Sequence, residues 1–315
     1  MTSIKVGVIG LGAIGKTHAK ILKNLGAEVA VYDIRLDAAK QVSSELSLEY
    51  CSSLDELLSK VDAVYVCTPP FTHEEVIKRA CEEGKHVFCE KPLCVTVEEA
   101  ERIVSYVKKS GILFMMGFVL RFFPVYSKVK ELSEKVGRIV NAWFFDIRPP
   151  YIKGIGGWRT KRKLNAGLFE QTVHEIDIIR WIIGEPVSVY CMGGRYVIEE
   201  FDYEDNMVYA MKTSKGALVT LISSITAKAS SRDLGIIGTE GTILVRGGEI
   251  YFNKNKVEHG QWRPYEKEDK YFLECIEKGK KPFVNEIDGY RAQVINDASL
   301  KSMIEKREIA IKYKY

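Results

Sequence analysis

The stretch Lys5–His18, KVGVIGLGAIGKTH, decides how the rest of the chain is read. The apolar run Lys5-Val6-Gly7-Val8-Ile9 has the character of a strand and feeds directly into Gly10-Leu11-Gly12-Ala13-Ile14-Gly15, which opens a helix. In such a G-x-G-x-x-G turn the first glycine permits the sharp bend, the second lets backbone N–H groups approach a pyrophosphate, and the third lets the helix pack close on the strand. The helix N-terminus carries unpaired N–H groups and a partial positive charge, so it favours an anion. Packing alone can also produce a glycine-rich turn. Here a second strand, Glu28 to Asp33, follows and ends in a carboxylate at the distance the motif requires. The set points to a dinucleotide, with Gly10, Gly12, Ala13, Ile14 and Gly15 around its phosphates.

Asp33 is placed to bond both ribose hydroxyls and to repel a 2′-phosphate, which favours NAD. Arg35, two positions on, either holds the phosphate of NADP or is a solvated loop charge.

At 315 residues the chain is long for one core, and two domains are expected. A net charge of +4 is too mild to argue for nucleic acid, and no basic run is interleaved with aromatics. No apolar run is long enough to span a bilayer, and no cleavable signal pattern precedes the first strand. Seven cysteines, with no C-x-x-C pair, fit buried thiols in a reducing compartment rather than a disulfide framework or a zinc site. The expected location is the cytoplasm.

Strand and helix alternate up to residue 117. A helix over Asp37–Leu46, a short strand near Tyr50, and capping boxes at Ser53-Leu54-Asp55-Glu56, Thr72-His73-Glu74-Glu75 and Thr96-Val97-Glu98-Glu99 continue the rhythm. The strand Asp62–Thr68 should lie beside the first in a doubly wound sheet, so Thr68, Pro69 and His73 fall at the cofactor crevice. His73 there is a helix-end residue rather than a catalyst. The fifth strand, His86–Glu90, runs into Glu90-Lys91-Pro92 and brings Glu90 and Lys91 to a carboxyl end of the sheet. Lys91 is either a solvated loop charge or a functional group whose direction the following proline fixes. A sixth strand, Ile112–Gly117, completes the sheet.

Beyond Gly117 the pattern changes, and the domain boundary is placed at 119/120. Strands are expected at Ile139–Ile147, Val187–Cys191, Met207–Lys212, Ala217–Ser224, Arg232–Ile237 and Thr242–Val245. The fold class is thus α/β: a doubly wound parallel sheet over 1–119 and an α+β domain with an open, mostly antiparallel sheet over 120–315. The outer face of that sheet needs cover, and a homodimer or homotetramer through it is expected. The helix Asp288 to Lys306 should bury Ala292, Ile295, Ala298, Leu300 and Ile304 on one face.

Glu170, His174 and Asp177 are spaced i, i+4, i+7 and form one polar stripe on a helix whose Val173, Ile176, Ile179 and Ile183 face the core. A bland reading pairs His174 with Asp177 to pin the helix. The functional reading follows from hydride chemistry, in which a base must take the hydroxyl proton as hydride leaves the carbinol carbon. His174 suits that work, Lys91 would stabilise the developing alkoxide, and Glu170 would orient the imidazole or bond a second hydroxyl. His174-Glu175-Ile176-Asp177-Ile178 lacks the second histidine of a zinc protease motif, and no metal is expected.

Taken together, GLGAIG, Thr68-Pro69-Pro70 with His73, Glu90-Lys91-Pro92 and Gly167 through Asp177 resemble the Gfo/Idh/MocA oxidoreductases over nearly the whole chain. The resemblance implies a Rossmann domain, a second domain built on a mixed sheet, NAD(P), and oxidation or reduction at a sugar or cyclic polyol carbon. Lys91 matches the family's catalytic lysine and His174 its catalytic histidine. Substrate contacts are implied from Lys91, Arg121, Trp158, Arg159, Glu170, His174 and Asp177, and His174-Glu175-Ile176-Asp177 is similar to the run in inositol dehydrogenases. Glu170 stands where the family usually has Asp, and Asn165-Ala166-Gly167 where it has three glycines. Phe123 replaces a small or polar residue. The run Arg159 to Lys163 either meets an anionic sugar or is a solvated loop. Two other readings of the architecture are a non-catalytic dinucleotide or sugar sensor and a reductase of a non-sugar substrate.

Overall fold

The computed structural model describes residues 4–150, 157–260 and 263–315. The chain divides into two compact units, residues 1–119 with 263–290, and 120–262 with 291–315. Residues 263–290 therefore belong with the first unit, a return of the chain that its sequence pattern does not announce.

The first unit alternates β1 (Lys5–Ile9), α1 (Ala13–Asn24), β2 (Glu28–Tyr32), α2 (Leu36–Leu46), β3 (Glu49–Tyr50), α3 (Leu54–Lys60), β4 (Ala63–Val66), α4 (His73–Glu82), β5 (His86–Glu90), α5 (Val97–Ser110) and β6 (Phe114–Gly117). The strands pair in parallel in the order β3-β2-β1-β4-β5-β6. This is a doubly wound sheet whose order reverses between β1 and β4, so the crevice lies at the carboxyl ends of those strands. The central strands are apolar on both sides, as helices on both faces require: Val6, Val8, Val64, Tyr65 and Val66 have no exposed surface.

One of the three expected capping boxes forms in full. Thr96 Oγ1 accepts the Glu99 N–H while the Glu99 carboxylate accepts the Thr96 N–H. At Ser53 only half forms, because the Glu56 carboxylate turns to the Ser52 amide and hydroxyl and to Lys60. Thr72 caps nothing. A single 3-10 turn at Pro70–Thr72 leads straight into α4, and the Thr72 hydroxyl donates to Thr68 Oγ1 and the Pro69 carbonyl.

The second unit holds α6 (Pro124–Ser133), β7 (Ile139–Ile147), α7 (Arg162–Asn165), α8 (Phe169–Ile182), β8 (Pro186–Gly194), β9 (Asn206–Thr213), β10 (Leu218–Ser224), β11 (Leu234–Gly238), β12 (Thr242–Arg246), β13 (Glu249–Phe252) and β14 (Asn255–Val257). The chain then forms α9 (Pro264–Glu277) in the first unit, continues as α10 (Glu286–Glu305), and ends with β15 (Ile309–Ala310). The second sheet runs β14-β13-β12-β11-β7-β10-β9-β8-β15, antiparallel except for β7 with β10. Its inner face buries Ala142, Phe144, Val189, Cys191, Tyr209, Met211, Val219 and Leu221. The opposite face exposes Tyr190, Met192, Val208 and Leu218.

α10 differs from the helix expected there. Ala292, Ile295 and Ala298 are buried, but Ile304 is 80 % exposed and Leu300 only half-buried. Ser299 and Ser302 are buried in their place, satisfied by the carbonyls of Ile295 and Arg307. No helix among the described residues is long and apolar enough to cross a membrane.

Candidate active site

In the first unit, Gly10 follows β1 with φ +87°, and its N–H donates to the Tyr32 carbonyl at 2.9 Å. Gly12 is exposed, and a Cβ there would meet no atom within 4 Å. At Gly15 a Cβ would come within 1.9 Å of the Gly10 carbonyl oxygen, so α1 packs too tightly on the turn for any side chain. Ala13 is exposed and Ile14 half-buried at the start of α1, where N–H groups lack helical partners. The arrangement fits a pyrophosphate: an open backbone cradle at a helix N-terminus.

Asp33 is buried just past β2. Its Oδ2 accepts the Leu11 N–H at 2.8 Å, and Oδ1 accepts the Arg35 N–H at 2.9 Å. Burial would push this carboxyl up, but those amides outweigh it and, with the Arg35 guanidinium at 3.3 Å, hold it below the usual range. The carboxylate is thus charged and tied to the glycine loop, as a ribose ligand requires.

Thr68 and Pro69 are half-buried at the end of β4. His73 is fully buried, with Nε2 2.8 Å from the Thr68 carbonyl and Nδ1 3.0 Å from that of Pro92. It braces two loops and has no surface to offer a cofactor, which corrects its expected place among the cofactor ligands.

Glu90, the last residue of β5, is buried. Its Oε2 accepts the Lys91 N–H at 3.1 Å, and Oε1 lies 3.0 Å from Nε2 of His18. Glu90 therefore faces inward as a support. Lys91 is half-buried and joined to Pro92 by a cis peptide. His18, on α1, also approaches both oxygens of Asp269 on α9 through Nδ1, at 2.8 and 3.0 Å. Burial alone would drive this imidazole toward neutrality, but Asp269 and then Glu90 outweigh it and push its pKa up to about 10. The neighbouring Glu268 carboxyl is buried, and burial together with the Glu90 charge drives its pKa well above the usual range. Ligating atoms of His18, Glu90 and Glu268 lie within 4.8 Å of one another. Both ring nitrogens of His18 are already bonded to carboxylates, so Asp269, His18 and Glu90 form a hydrogen-bonded ion cluster with Glu268 beside it. His18 stands in the very stretch that decides the fold, and a histidine on the packed side of a short helix is the one sign of it; Glu268 and Asp269 give none.

In the second unit, α8 carries Glu170, His174 and Asp177 along one side, and all three are buried. Twelve of its 14 residues are buried, so the helix is held all round rather than on one apolar face. Its further polar residues have their own partners: Thr172 bonds Ser223, while Glu175 lies beside Asp146, Arg148 and Arg232. Burial, with the Asp146 charge adding to it, pushes the Glu175 carboxyl up to about 7.

Both oxygens of Asp177 accept from Arg121, at 2.8 Å from Nε and 2.6 Å from Nη2. Arg180 stands 3.6 Å from the same carboxylate and pairs in turn with Glu185. Arg121 and Asp177 were both expected at the substrate; the structure instead turns them to each other inside the unit. Glu170 lies 3.3 Å from Arg159, whose guanidinium rests over the Trp158 ring at 4.6 Å. The Arg159 carbonyl accepts from Asn165 and from the Tyr203 hydroxyl, which fixes the approach of this turn to α8. Ala166 and Gly167 follow with φ of 69° and 75°, the backbone that three glycines would adopt without strain. Within the run Arg159–Lys163, Arg159 and Arg162 have carboxylate partners in Glu170 and Glu204, and Lys161 and Lys163 are exposed.

Residues 4–118 match the model of the oxidoreductase family with an NAD-binding Rossmann fold, and residues 127–244 match the GFO/IDH/MocA C-terminal domain. The chain is 30 % identical to a myo-inositol 2-dehydrogenase of Thermotoga maritima, over 98 % of each chain. It is 29 % identical to an inositol 2-dehydrogenase of Rhizobium meliloti, over 98 % of this chain and 99 % of that one. A levoglucosan dehydrogenase solved with NADH and levoglucosan shares the fold at a TM-score of 0.90 and 21 % identity, covering 99 % of this chain and all of that one. With an open phosphate cradle, a charged Asp33 and both domain types in sequence, the chain belongs to the Gfo/Idh/MocA family of NAD-binding oxidoreductases.

Proposed function

We propose that this protein moves a hydride between nicotinamide and a carbinol carbon of a neutral sugar or cyclic polyol of the inositol kind. His174 is the acid–base residue, Lys91 its electrostatic partner, and Glu170 the orienting carboxylate. The carrying observation is the setting of His174: an imidazole on a helix buried on every side, one turn after a carboxylate that Arg159 steadies. Such a mounting costs rotational freedom in advance, which a proton-transfer group needs if it is to meet one oxygen in one direction.

NAD, when bound, takes up or returns the hydride. In the oxidising direction the substrate C–H pair leaves as hydride while the O–H bond breaks and its proton passes to the His174 ring; reduction reverses both. The Lys91 ammonium stabilises negative charge on that oxygen. Glu170 bonds a second hydroxyl or holds the ring. Asp33 accepts the ribose hydroxyls, and Gly10 to Gly15 receive the pyrophosphate. The carboxylate partners of Arg159 and Arg162 favour a neutral substrate over a phosphorylated one, since neither guanidinium is left without a counter-charge.

Self-association through the second sheet belongs to the same reading. Met192, Val208, Ile222 and Phe145 form a cross-strand apolar row on the outward face, supporting a homodimer or homotetramer. All seven cysteines are buried and free, which supports a reducing cytoplasm.

The test is a panel of inositols, free sugars, sugar phosphates and nucleotide sugars with NAD and NADP, read by NADH absorbance. Turnover of a neutral polyol or sugar with NAD is expected. Lys91→Met and His174→Asn should each abolish it while NADH still binds; near-normal kcat in either variant would sink the assignment.

A further inference from the structure

Lys91 leaves the sheet from a peptide that is gripped from inside. Its N–H donates to Glu90 Oε2 at 3.1 Å, and the other oxygen of that carboxylate is 3.0 Å from His18 Nε2. The far side of the same ring meets Asp269 at 2.8 and 3.0 Å. Groups from α9, α1, the end of β5 and the residue after it thus form one continuous chain, Asp269 to His18 to Glu90 to the Lys91 amide. Gly117 on β6 leaves room for this carboxylate: a Cβ there would sit 3.2 Å from the Glu90 Cα, its carboxyl carbon and Oε1. The His18 ring is also wedged among Tyr65, Phe88 and Tyr265, with centroids 5.3, 5.1 and 5.8 Å away.

Stability alone does not account for this choice of residues. Desolvating two carboxylates and an imidazolium is expensive, and well-packed apolar residues of similar volume are often as stable or more so. What charge-assisted bonds supply that apolar packing does not is direction. The chain ends on the backbone amide of Lys91, and its central member, His18, stands on the helix that the glycine loop opens.

We propose that His18, backed by Asp269, is a positioning residue: it holds Glu90 in the one orientation that fixes the Lys91 amide, and so sets the direction in which the lysine side chain departs from β5. The inference rests on the role given to Lys91 above. His18 itself touches neither substrate nor cofactor. A displacement of about 1 Å at a reacting group can cost a hundredfold in rate, so loss of the clamp should appear in kcat.

The experiment compares Glu90→Ala, Glu90→Gln, His18→Gln and Asp269→Asn in the full chain. Kinetics, NADH affinity by fluorescence, and the rate of reductive methylation of Lys91 read by peptide mass spectrometry are measured for each. Glu90→Ala and His18→Gln should lower kcat about 10- to 100-fold, leave KM for NAD and the NADH Kd within about twofold, and change the Lys91 labelling rate severalfold. Glu90→Gln keeps an acceptor for the Lys91 amide and a polar atom for His18, and should recover most of both losses. Asp269→Asn, which retains the shape but removes the charge behind the ring, should fall between. Unchanged kcat and labelling in Glu90→Ala and His18→Gln would overturn the proposal, as would a kcat loss matched by an equal loss of NADH affinity. Should Glu90→Ala or His18→Gln not fold, full labelling and kcat in Asp269→Asn together with no recovery in Glu90→Gln would overturn it equally. Lys91→Met separates the two readings: if it keeps turnover, the catalytic role fails while the labelling still decides the positioning.

Discussion

Arg121 and Asp177 meet as a two-point ion pair, Nε to Oδ2 at 2.8 Å and Nη2 to Oδ1 at 2.6 Å, with both side chains almost wholly buried. The pair joins the turn after β6 to the middle of α8 and fixes the rotation of that helix about its axis. His174 lies on the turn before Asp177, so its direction depends on the same anchor.

Breaking one side of such a buried pair removes the closest counter-charge of the other, at a cost of up to about 3–5 kcal/mol. Arg121→Met and Asp177→Leu should each lower unfolding free energy by about that amount in urea titration. The double variant should recover part of it. Additive losses in the double variant would show that the two side chains stabilise the unit independently.

The glycine turn makes a paired prediction. Gly12→Val adds a side chain where the protein has nothing, so the fold should be kept while NADH affinity falls tenfold or more. Gly15→Ala places a methyl group against the Gly10 carbonyl at a distance no packing tolerates, and should destabilise the protein itself. Thermal melts with and without NADH distinguish the outcomes; equal effects of the two variants on the apo melt would contradict the geometry.

Glu175 carries a pH dependence. Its folded pKa, raised to about 7 from an ordinary 4.5, means that the folded state binds this proton more tightly than the unfolded chain does. The resulting stabilisation is complete below about pH 4.5 and disappears as pH rises through about 7. The difference in Tm between the parent and Glu175→Gln should therefore move against the parent across this interval. A difference independent of pH would mean that Arg148 and Arg232 keep the carboxylate ionised throughout.

The outward row of the second sheet can be tested by charge. Met192→Asp with Val208→Lys places polar groups on an exposed apolar row without touching the inner face. Light scattering should report a smaller species than the parent at the same concentration; an unchanged mass, or a parent that is already monomeric, would remove the sheet from the interface.

The first sheet and the course of β7 to β12 were legible because parallel strands read as unbroken apolar runs and half-buried strands alternate, whatever their partners. The glycine turn was legible because its chemistry is local. What could not be read depends on pairing over distance. Asp177 shows a helical stripe in sequence, yet Arg121 lies 56 positions away and nothing local marks it as the partner. Glu266-Lys267-Glu268-Asp269-Lys270 in α9 carries no local sign of burial, and the partner of the buried Asp269 is His18, 251 positions away. Thr72 has a capping sequence, but Pro69-Pro70 starts a 3-10 turn that uses its hydroxyl first.

The return of residues 263–290 to the first unit has a consequence for how the chain is made. Synthesis delivers all six parallel strands by Gly117, but the partner of the His18 ring and the aromatic cover that Phe272 gives Tyr65 and Phe88 come from α9. A nascent chain therefore carries a sheet with one flank bare, and with an imidazole that has Glu90 but not yet Asp269, through the translation of residues 120–262. The half that leaves the ribosome first is finished only after residues 120–262 of the other half have emerged.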